Sequence, residues 1–160
     1  MLRLSYSVTL SQLPVPCTHL NFGTLNVRSL SPSKLDSLLI EIRNRLLDVV
    51  LMCETWHDAD SVSIGRLRSD GFTVVERARP RPRSRRDDAS LGVNDGGVAV
   101  VAATGVKLSA IDVGVRPTTF ECVAVRVTTG SSRCVVLLIY RPGFADVTAS
   151  FFTELSDVLD

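Results

Sequence analysis

The clearest hydrophobic pattern in the chain lies between residues 19 and 54, where short apolar runs flank a helical stripe. The runs "HLNFGTLNV" (19–27) and "DVVLMCE" (48–54) each predict a strand. Between them, "LSPSKLDSLLIEIRNRLL" (30–47) repeats its apolar residues at helical spacing, which predicts an amphipathic helix. The members of this stripe are Leu35, Leu38, Leu39, Ile42 and Leu46. The order β–α–β favours two parallel strands with the helix packed on their sheet.

Local signals mark the start and the polar face of this helix. Ser31 is a favourable N-cap residue, and Pro32 suits the first helical turn because its missing N–H needs no partner there. Glu41 and Arg45 stand four residues apart on the side opposite the stripe, where they can form an ion pair.

The rest of the chain is predicted to consist mainly of strands. Residues 57–71 predict a loop or a short helix, and polar turns such as "TGSSR" (129–133) separate later strands as hairpins. The predicted strands cover 72–77, 96–103, 106–112, 119–129 and 133–141. An amphipathic helix over 145–160 is predicted to bury five apolar side chains: Phe151, Phe152, Leu155, Val158 and Leu159.

At 160 residues the chain has the length of one domain. Residues 1–18 contain Pro14 and Pro16 and show no sustained period, so we interpret them as an irregular lead-in to a domain over 19–160. Within that domain, the Arg/Pro-rich segment 78–96 is predicted to be a mobile loop.

Cysteine usage and hydropathy point to a reducing compartment. The four cysteines are widely spaced and form no C-x-x-C pair, which argues against a zinc site. No apolar run approaches the length of a membrane span, and polar residues interrupt the N-terminal stretch too often for a secretion signal. We therefore expect an intracellular protein, nuclear or cytoplasmic, that is neither secreted nor bound in a membrane.

The net charge of +1 conceals six arginines within residues 77–86. Such a cluster can attract nucleic-acid phosphates or serve as a nuclear-import signal. However, Asp87 and Asp88 follow directly, and prolines keep the segment open, so a solvated loop is the more economical interpretation.

Polar side chains stand where three predicted strands end: Asn26, Glu54 and Tyr140. If the first two strands are parallel, Asn26 and Glu54 emerge at the same edge of the sheet, where α/β proteins gather functional groups. Glu54 can hold a hard cation such as Mg²⁺, Asn26 can orient a ligand, and Tyr140 can donate a hydrogen bond to developing charge on phosphorus. Each also has a structural interpretation, as a solvated carboxylate, a turn residue and a core aromatic.

Five segments resemble the endonuclease/exonuclease/phosphatase superfamily in order and approximate spacing, and most closely the apurinic-type endonuclease domain of non-LTR retrotransposons. They are "GTLNVRSL" (23–30), "VVLMCETW" (49–56), "GGVAVV" (96–101), "FECVAVRV" (120–127) and "VVLLIYRPG" (135–143). The resemblance covers residues 19–160. It implies a four-layer α/β sandwich, here predicted to be truncated after its first half.

The resemblance also implies roles for individual residues. Glu54 matches the metal-ligand glutamate, and Asn26 and Tyr140 match an active-site asparagine and tyrosine. Arg141, in the "YRP" of many retrotransposon members, is implied as a phosphate contact. Arg28 stands where repair-type members can carry an acidic group, which favours the retrotransposon branch. The implied cofactor is Mg²⁺, with Mn²⁺ as an alternative.

Two motifs of the family are missing from the chain. It contains neither the Gly-Asp-x-Asn motif, whose aspartate activates water, nor the Ser-Asp-His motif, whose histidine engages the phosphate. We interpret His19 and His57 as ordinary surface histidines that do not replace them. The truncation is also expected to leave apolar sheet faces exposed.

The first hypothesis for function is a fragment of a metal-dependent endonuclease that hydrolyses DNA phosphodiester bonds, as in target-site nicking by a non-LTR retrotransposon. The fragment is expected to be inactive alone, with a reverse transcriptase domain encoded downstream. The second is a non-catalytic remnant that retains at most weak nucleic-acid binding. A phosphatase or an RNA-cleaving member of the superfamily remains open, because substrate choice resides largely in loops and in the missing half.

Overall fold

The described part of the chain forms two β-sheets and three helices. The computed structural model describes residues 5–8, 19–58, 60–79, 96–130, 132–143 and 146–160, with the backbone alone for 5–8. The strands are β1 (Ser5–Val8), β2 (Leu20–Asn26), β3 (Val49–Cys53), β4 (Thr73–Arg77), β5 (Val98–Ala102), β6 (Lys107–Ile111), β7 (Glu121–Thr129) and β8 (Ser132–Tyr140). The helices are α1 (Pro32–Asn44), α2 (Val62–Ser69) and α3 (Ala149–Leu159).

The predicted β–α–β opening is confirmed. Strands β2 and β3 are parallel neighbours joined by α1, and Asn26 stands opposite Cys53 in their register. The residue after Cys53 is Glu54, so both predicted site residues lie at one edge of the first sheet. This sheet has the strand order β1-β2-β3-β5-β4, and all its other pairs are antiparallel.

The second sheet is an antiparallel meander with the order β6-β7-β8. The predicted hairpin between its last two strands is confirmed, with Gly130 in the turn at a φ of 52°. In this register Glu121, the first residue of β7, stands opposite Tyr140, the last residue of β8. These two side chains therefore lie side by side at one end of the sheet.

The central strands β3 and β5 of the first sheet are covered on both faces, as their Val-rich sequences require. One face packs on α1 and α2 through a cluster that includes Leu35, Met52 and Leu67. The other face packs on the second sheet through Val49, Val100 and Val125, all of which are inaccessible to solvent. Alternation along β2 and β3 distributes neighbouring side chains between these two cores.

Helix α1 confirms most of its predicted pattern. Leu35, Leu38, Leu39 and Ile42 are buried, and the Glu41 carboxylate accepts a 2.7 Å hydrogen bond from Arg45. Ser31 is the N-cap residue, although its hydroxyl makes no capping bond to the backbone. The prediction for Leu46 is wrong: the helix ends at Asn44, Leu46 takes a φ of 51°, and 74% of it is exposed.

Two further predictions need correction. Residues 5–8 are not irregular, because they form β1, which pairs with β2. Helix α3 exists as predicted but buries none of its residues: Phe152 and Leu159 are 61% and 67% exposed, since no element covers that face among the described residues. Residues 80–95, which form most of the Arg/Pro-rich segment, lie outside the described residues.

The described cysteines Cys53, Cys122 and Cys134 are free thiols within or beside the apolar clusters. No helix in the described part of the chain is both long and apolar enough to span a membrane.

Helix α3 is attached through Glu154. Its carboxylate accepts hydrogen bonds from the backbone N–H and the hydroxyl of both Thr118 and Thr119, at 2.6–3.0 Å. The hydrogen bonds from Thr119 and Thr118 lower the pKa of Glu154 from 4.5 to about 2. Phe151 adds an edge-to-face contact with Phe120 at a centroid distance of 5.5 Å.

Because the folded-state pKa of Glu154 is depressed, its contribution to stability is complete above its ordinary pKa of 4.5 and is lost as the pH falls through about 2. We therefore expect Glu154→Gln to lower the free energy of unfolding at pH 6, with a difference from wild type that shrinks between pH 4.5 and 2. Urea unfolding of both proteins across this range measures it. Thr119→Val, which removes one donor, should show a smaller effect of the same sign. A difference independent of pH would contradict this role of the carboxylate.

Candidate functional site

The side chains of Asn26, Glu54 and Tyr140 meet at a single carboxylate oxygen. Oε1 of Glu54 accepts a hydrogen bond from Nδ2 of Asn26 at 2.6 Å and from the Tyr140 hydroxyl at 2.5 Å. Asn26 closes the arrangement on its other side, since its Oδ1 accepts from the backbone N–H of Arg28 at 3.2 Å. The structure thus brings together the three residues that end the predicted strands, and their catalytic and metal-binding roles stay predictions.

The two sheets supply different members of this cluster. Asn26 follows Leu20 and Phe22 on the face of β2 that packs against the second sheet, and Tyr140 belongs to the apolar cluster between the sheets. Glu54 has a φ of 53°, which breaks the alternation of β3 where the strand ends. The site therefore lies at the edge of the inter-sheet core, where the strands of both sheets end.

Backbone hydrogen bonds continue beyond β2 and β3 and hold the turns that carry the site. The N–H groups of Val27, Ser29 and Leu30 donate to the carbonyls of Cys53, Glu54 and Thr55, at 2.8–3.0 Å. Arg28 and Ser29 have positive φ values of 43° and 80°. Lys34 of α1 donates to the carbonyls of Val27 and Arg28 and so secures this turn from the helix side.

Electrostatics keep the Glu54 carboxyl ionised. Burial would raise its pKa, but the hydrogen bonds from Tyr140 and Asn26 and the positive charges of Arg28 and Arg79 outweigh burial and lower it. Burial, followed by the hydrogen bond to Glu54 and the charge of that carboxylate, raises the pKa of Tyr140 well above its usual range. At neutral pH the pair therefore consists of an anionic acceptor and a protonated donor.

Gly96 and Gly97 hold the main chain that follows Glu54. Their carbonyls accept hydrogen bonds from the N–H groups of Trp56 at 2.7 Å and Thr55 at 3.2 Å, respectively. Gly97 has a φ of 95°, and a Cβ built on it would lie 2.6 Å from Oγ1 of Thr55. Only glycine satisfies both the conformation and the close approach.

His57 is not the surface histidine that its polar sequence context predicts. It is 3% exposed, and its Nδ1 and Nε2 lie 2.6 Å from Oγ1 of Thr55 and 3.0 Å from Oε2 of Glu76. It therefore serves as a buried polar link between the Glu54 turn and β4. The polar context of residues 54–58 gives no sign of this burial, because the partner Glu76 comes from a different strand. His19 is exposed, as predicted.

Arg141 directly follows Tyr140 and is half-buried, and its guanidinium donates to the carbonyl of Pro142 at 3.4 Å. Its role as a phosphate contact stays a prediction. Sequence reasoning missed the positive charges of Arg28 and Arg79 beside the carboxylate as features of the site.

The chemistry of the cluster fits a hydrated divalent cation with few protein ligands. No group of three or more His, Cys, Asp or Glu side chains among the described residues could form a closed metal cage. Mg²⁺ does not need one, because it commonly keeps several waters and takes one or two carboxylates. Both hydrogen bonds to Glu54 fall on Oε1, and Oε2 receives none from the described residues.

Comparison with known proteins supports the fold. No protein-family model matches the sequence. No curated protein matches it. The structure is similar to the human Nocturnin catalytic domain with bound sulfate anion, at 15% identity and a TM-score of 0.51 over 84% of this chain and 52% of that one. It is also similar to the 3′ phosphatase NExo from Neisseria bound to product DNA hairpin, at 18% identity and a TM-score of 0.44 over 71% and 39%.

The likeness to the Nocturnin catalytic domain confirms the predicted α/β fold class. The chain spans about half of that domain. At these identities the likeness concerns the fold.

Gly97→Ala and Gly105→Ala form a matched pair, because both glycines have a φ of 95°. A Cβ at Gly105 meets nothing within 4 Å, so this change should cost about 1–2 kcal/mol for the left-handed conformation alone. Gly97→Ala should cost about 1–3 kcal/mol more, because the added methyl group overlaps Thr55. Chemical denaturation of both variants measures the difference, and equal costs would contradict the close packing at Gly97.

Proposed function

We propose that this chain carries the metal- and phosphate-binding edge of a divalent-metal-dependent endonuclease that hydrolyses DNA phosphodiester bonds. The observation that carries the proposal is the meeting of Asn26 and Tyr140 on one oxygen of Glu54. Two neutral donors hold an ionised carboxylate in place at the edge of a fold shared with the Nocturnin catalytic domain.

Each residue has a definite task in this proposal. Glu54 would hold Mg²⁺ or Mn²⁺, which supplies charge neutralisation at the phosphate when bound. Asn26 fixes the orientation of that carboxylate. Tyr140 stays protonated at neutral pH, and its one O–H, which here donates to Glu54, would turn to a phosphate oxygen when a substrate binds. Arg28 and Arg79 add a positive field that favours an anionic substrate.

The 160 residues by themselves are expected to have little or no nuclease activity. The sequence contains neither the Gly-Asp-x-Asn motif nor the Ser-Asp-His motif that would provide a base and a phosphate ligand. His57 cannot replace them, because it is buried and both its ring nitrogens have partners within the fold. Positioned acid–base groups contribute about 10²–10⁴-fold to such reactions, so their loss is severe.

The wider context belongs to the same proposal. The segments "GTLNVRSL" and "VVLLIYRPG" resemble the endonuclease domain of non-LTR retrotransposons, which act on target DNA and precede a reverse transcriptase. We accordingly expect an intracellular protein, nuclear or cytoplasmic. An open reading frame downstream that contains the two missing motifs and a reverse transcriptase would support this context.

The direct test is to measure Mg²⁺ binding to the purified chain by calorimetry. The broadening of NMR signals by Mn²⁺ then locates the site. Glu54→Gln keeps an acceptor for Asn26 and Tyr140 but removes the charge, so we expect at least about tenfold weaker binding. Glu41→Gln, which alters an exposed carboxylate paired with Arg45, should leave binding unchanged. Broadening should centre on residues 26, 54 and 140.

Plasmid nicking and DNA binding complete the test. Metal-dependent nicking by the chain that Glu54→Gln abolishes would contradict the predicted inactivity but support the site. Equal Mg²⁺ affinity in wild type and Glu54→Gln would contradict the metal site itself. In that case, salt-sensitive DNA binding that ignores the substitution would favour the alternative, a non-catalytic remnant with weak nucleic-acid affinity.

A further inference from the structure

Glu121 connects the second sheet to the main chain that carries Glu54. It begins β7, opposite Tyr140, and its side chain is 16% exposed. Its Oε2 accepts a 2.6 Å hydrogen bond from the N–H of Gly97, and its Oε1 accepts one from Nε of Arg79. Both partners belong to segments that flank strands of the first sheet, so one carboxylate bridges the two sheets.

The bond to Gly97 continues toward the site through backbone groups. The N–H of Gly97 is held by Glu121, and its carbonyl accepts the N–H of Thr55, the residue after Glu54. The carbonyl of Gly96 accepts the N–H of Trp56 in the same way. A side chain at Gly97 would overlap Thr55, so the segment that carries Gly97 packs closely against the one that follows Glu54.

Glu54 needs such external support. A non-glycine residue in the left-handed region is strained, and Glu54 and Trp56 both occupy it, with φ values of 53° and 51°. If the ties to this turn loosened, the main chain could relax to an ordinary φ and redirect the carboxylate. Tyr140 holds the side chain of Glu54 through its hydrogen bond. Glu121, the cross-strand neighbour of Tyr140, acts on the main chain of Glu54 instead.

We propose that Glu121 is a positioning residue for Glu54, acting through Gly97 and the backbone of residues 54–56. The inference rests on the proposed function for its consequence, since a displaced Glu54 would bind metal weakly. The positioning itself is a property of the fold and can be measured without metal or substrate.

The competing interpretation is that Glu121 only joins the two sheets through its ion pair with Arg79. The two interpretations differ in what Glu121→Gln and Glu121→Ala do. Glutamine keeps a carbonyl oxygen that can accept from Gly97 and loses the negative charge, whereas alanine loses both. A positioning role predicts that glutamine preserves the turn and alanine does not. A role limited to the ion pair predicts that both disturb it equally.

Two readouts report locally on this turn. Hydrogen exchange at the amides of Thr55 and Trp56 measures their bonds to Gly97 and Gly96, with the amides of Val50 and Met52 in central β3 as references. Trp56 is the single tryptophan of the chain, and its Nε1 is buried without a hydrogen-bond partner among the described residues. Its fluorescence therefore reports any entry of water.

In the full 160-residue chain, Glu121→Ala should speed exchange at Thr55 and Trp56 at least about tenfold, with little change at Val50 and Met52. The Trp56 emission should shift to longer wavelength. Glu121→Gln should stay near wild type. Glu41→Gln is the control, because it alters a carboxylate of α1 that pairs with Arg45, and it should change neither readout.

Uniformly faster exchange at all four amides, or equal effects of alanine and glutamine, would overturn the proposal. If Glu121→Ala does not fold, Glu121→Asp, which shortens the side chain by one methylene group, carries the same expectation. Mg²⁺ titration separates the two proposals: local loosening in Glu121→Ala with Mg²⁺ affinity unaffected by Glu54→Gln would refute the metal site and leave the positioning intact.

Discussion

The structure depends on two hydrogen bonds that converge on Oε1 of Glu54, one from each sheet. Asn26 reaches it from β2 and Tyr140 from β8. An ionised acceptor makes these bonds stronger than neutral ones, and their convergence requires both sheets to end at the same level. Any slip of either strand register would remove a donor, because side chains alternate between faces along a strand. The site and the packing of the sheets therefore specify each other.

This arrangement imposes backbone strain on several residues around the site. Left-handed backbone conformations at Arg28, Ser29, Glu54 and Trp56 gather at the ends of β2 and β3. Such strain persists where surrounding contacts determine the conformation. Here the contacts come from extended backbone ladders, from the Gly96–Gly97 pair and from the buried Thr55–His57–Glu76 link. The Val-rich core beneath is regular, so the irregular backbone is confined to the edge that carries polar side chains.

The electrostatic design separates the protonation states of two neighbouring groups. Burial and the neighbouring Glu54 carboxylate keep the phenol of Tyr140 as a neutral donor. Burial opposes the charge on Glu54, but the hydrogen bonds from Tyr140 and Asn26 and the charges of Arg28 and Arg79 outweigh it and keep the carboxyl an anion. A single fixed carboxylate with cationic neighbours suits a hydrated metal ion and an anionic substrate. It does not have the several ligands that would enclose a dehydrated metal ion. This combination, on a fold similar to the Nocturnin catalytic domain, is why a phosphodiesterase is the function that we propose.

The sequence by itself determined the elements whose signals are local and periodic. These elements are the stripe of α1, the apolar runs of β3 and β8, and the parallel β–α–β opening. The β–α–β opening places Asn26 and Glu54 at one edge of the first sheet. Tertiary structure alone decided which distant groups meet there. The burial of His57 and the bridge from Glu121 to Gly97 depend on partners that are far away in sequence. The exposure of α3 depends on which elements pack against it, and the exposure of Leu46 depends on where α1 ends. Periodicity records which face of an element is apolar, whereas the identity of the group opposite that face is set only when the sheets pack.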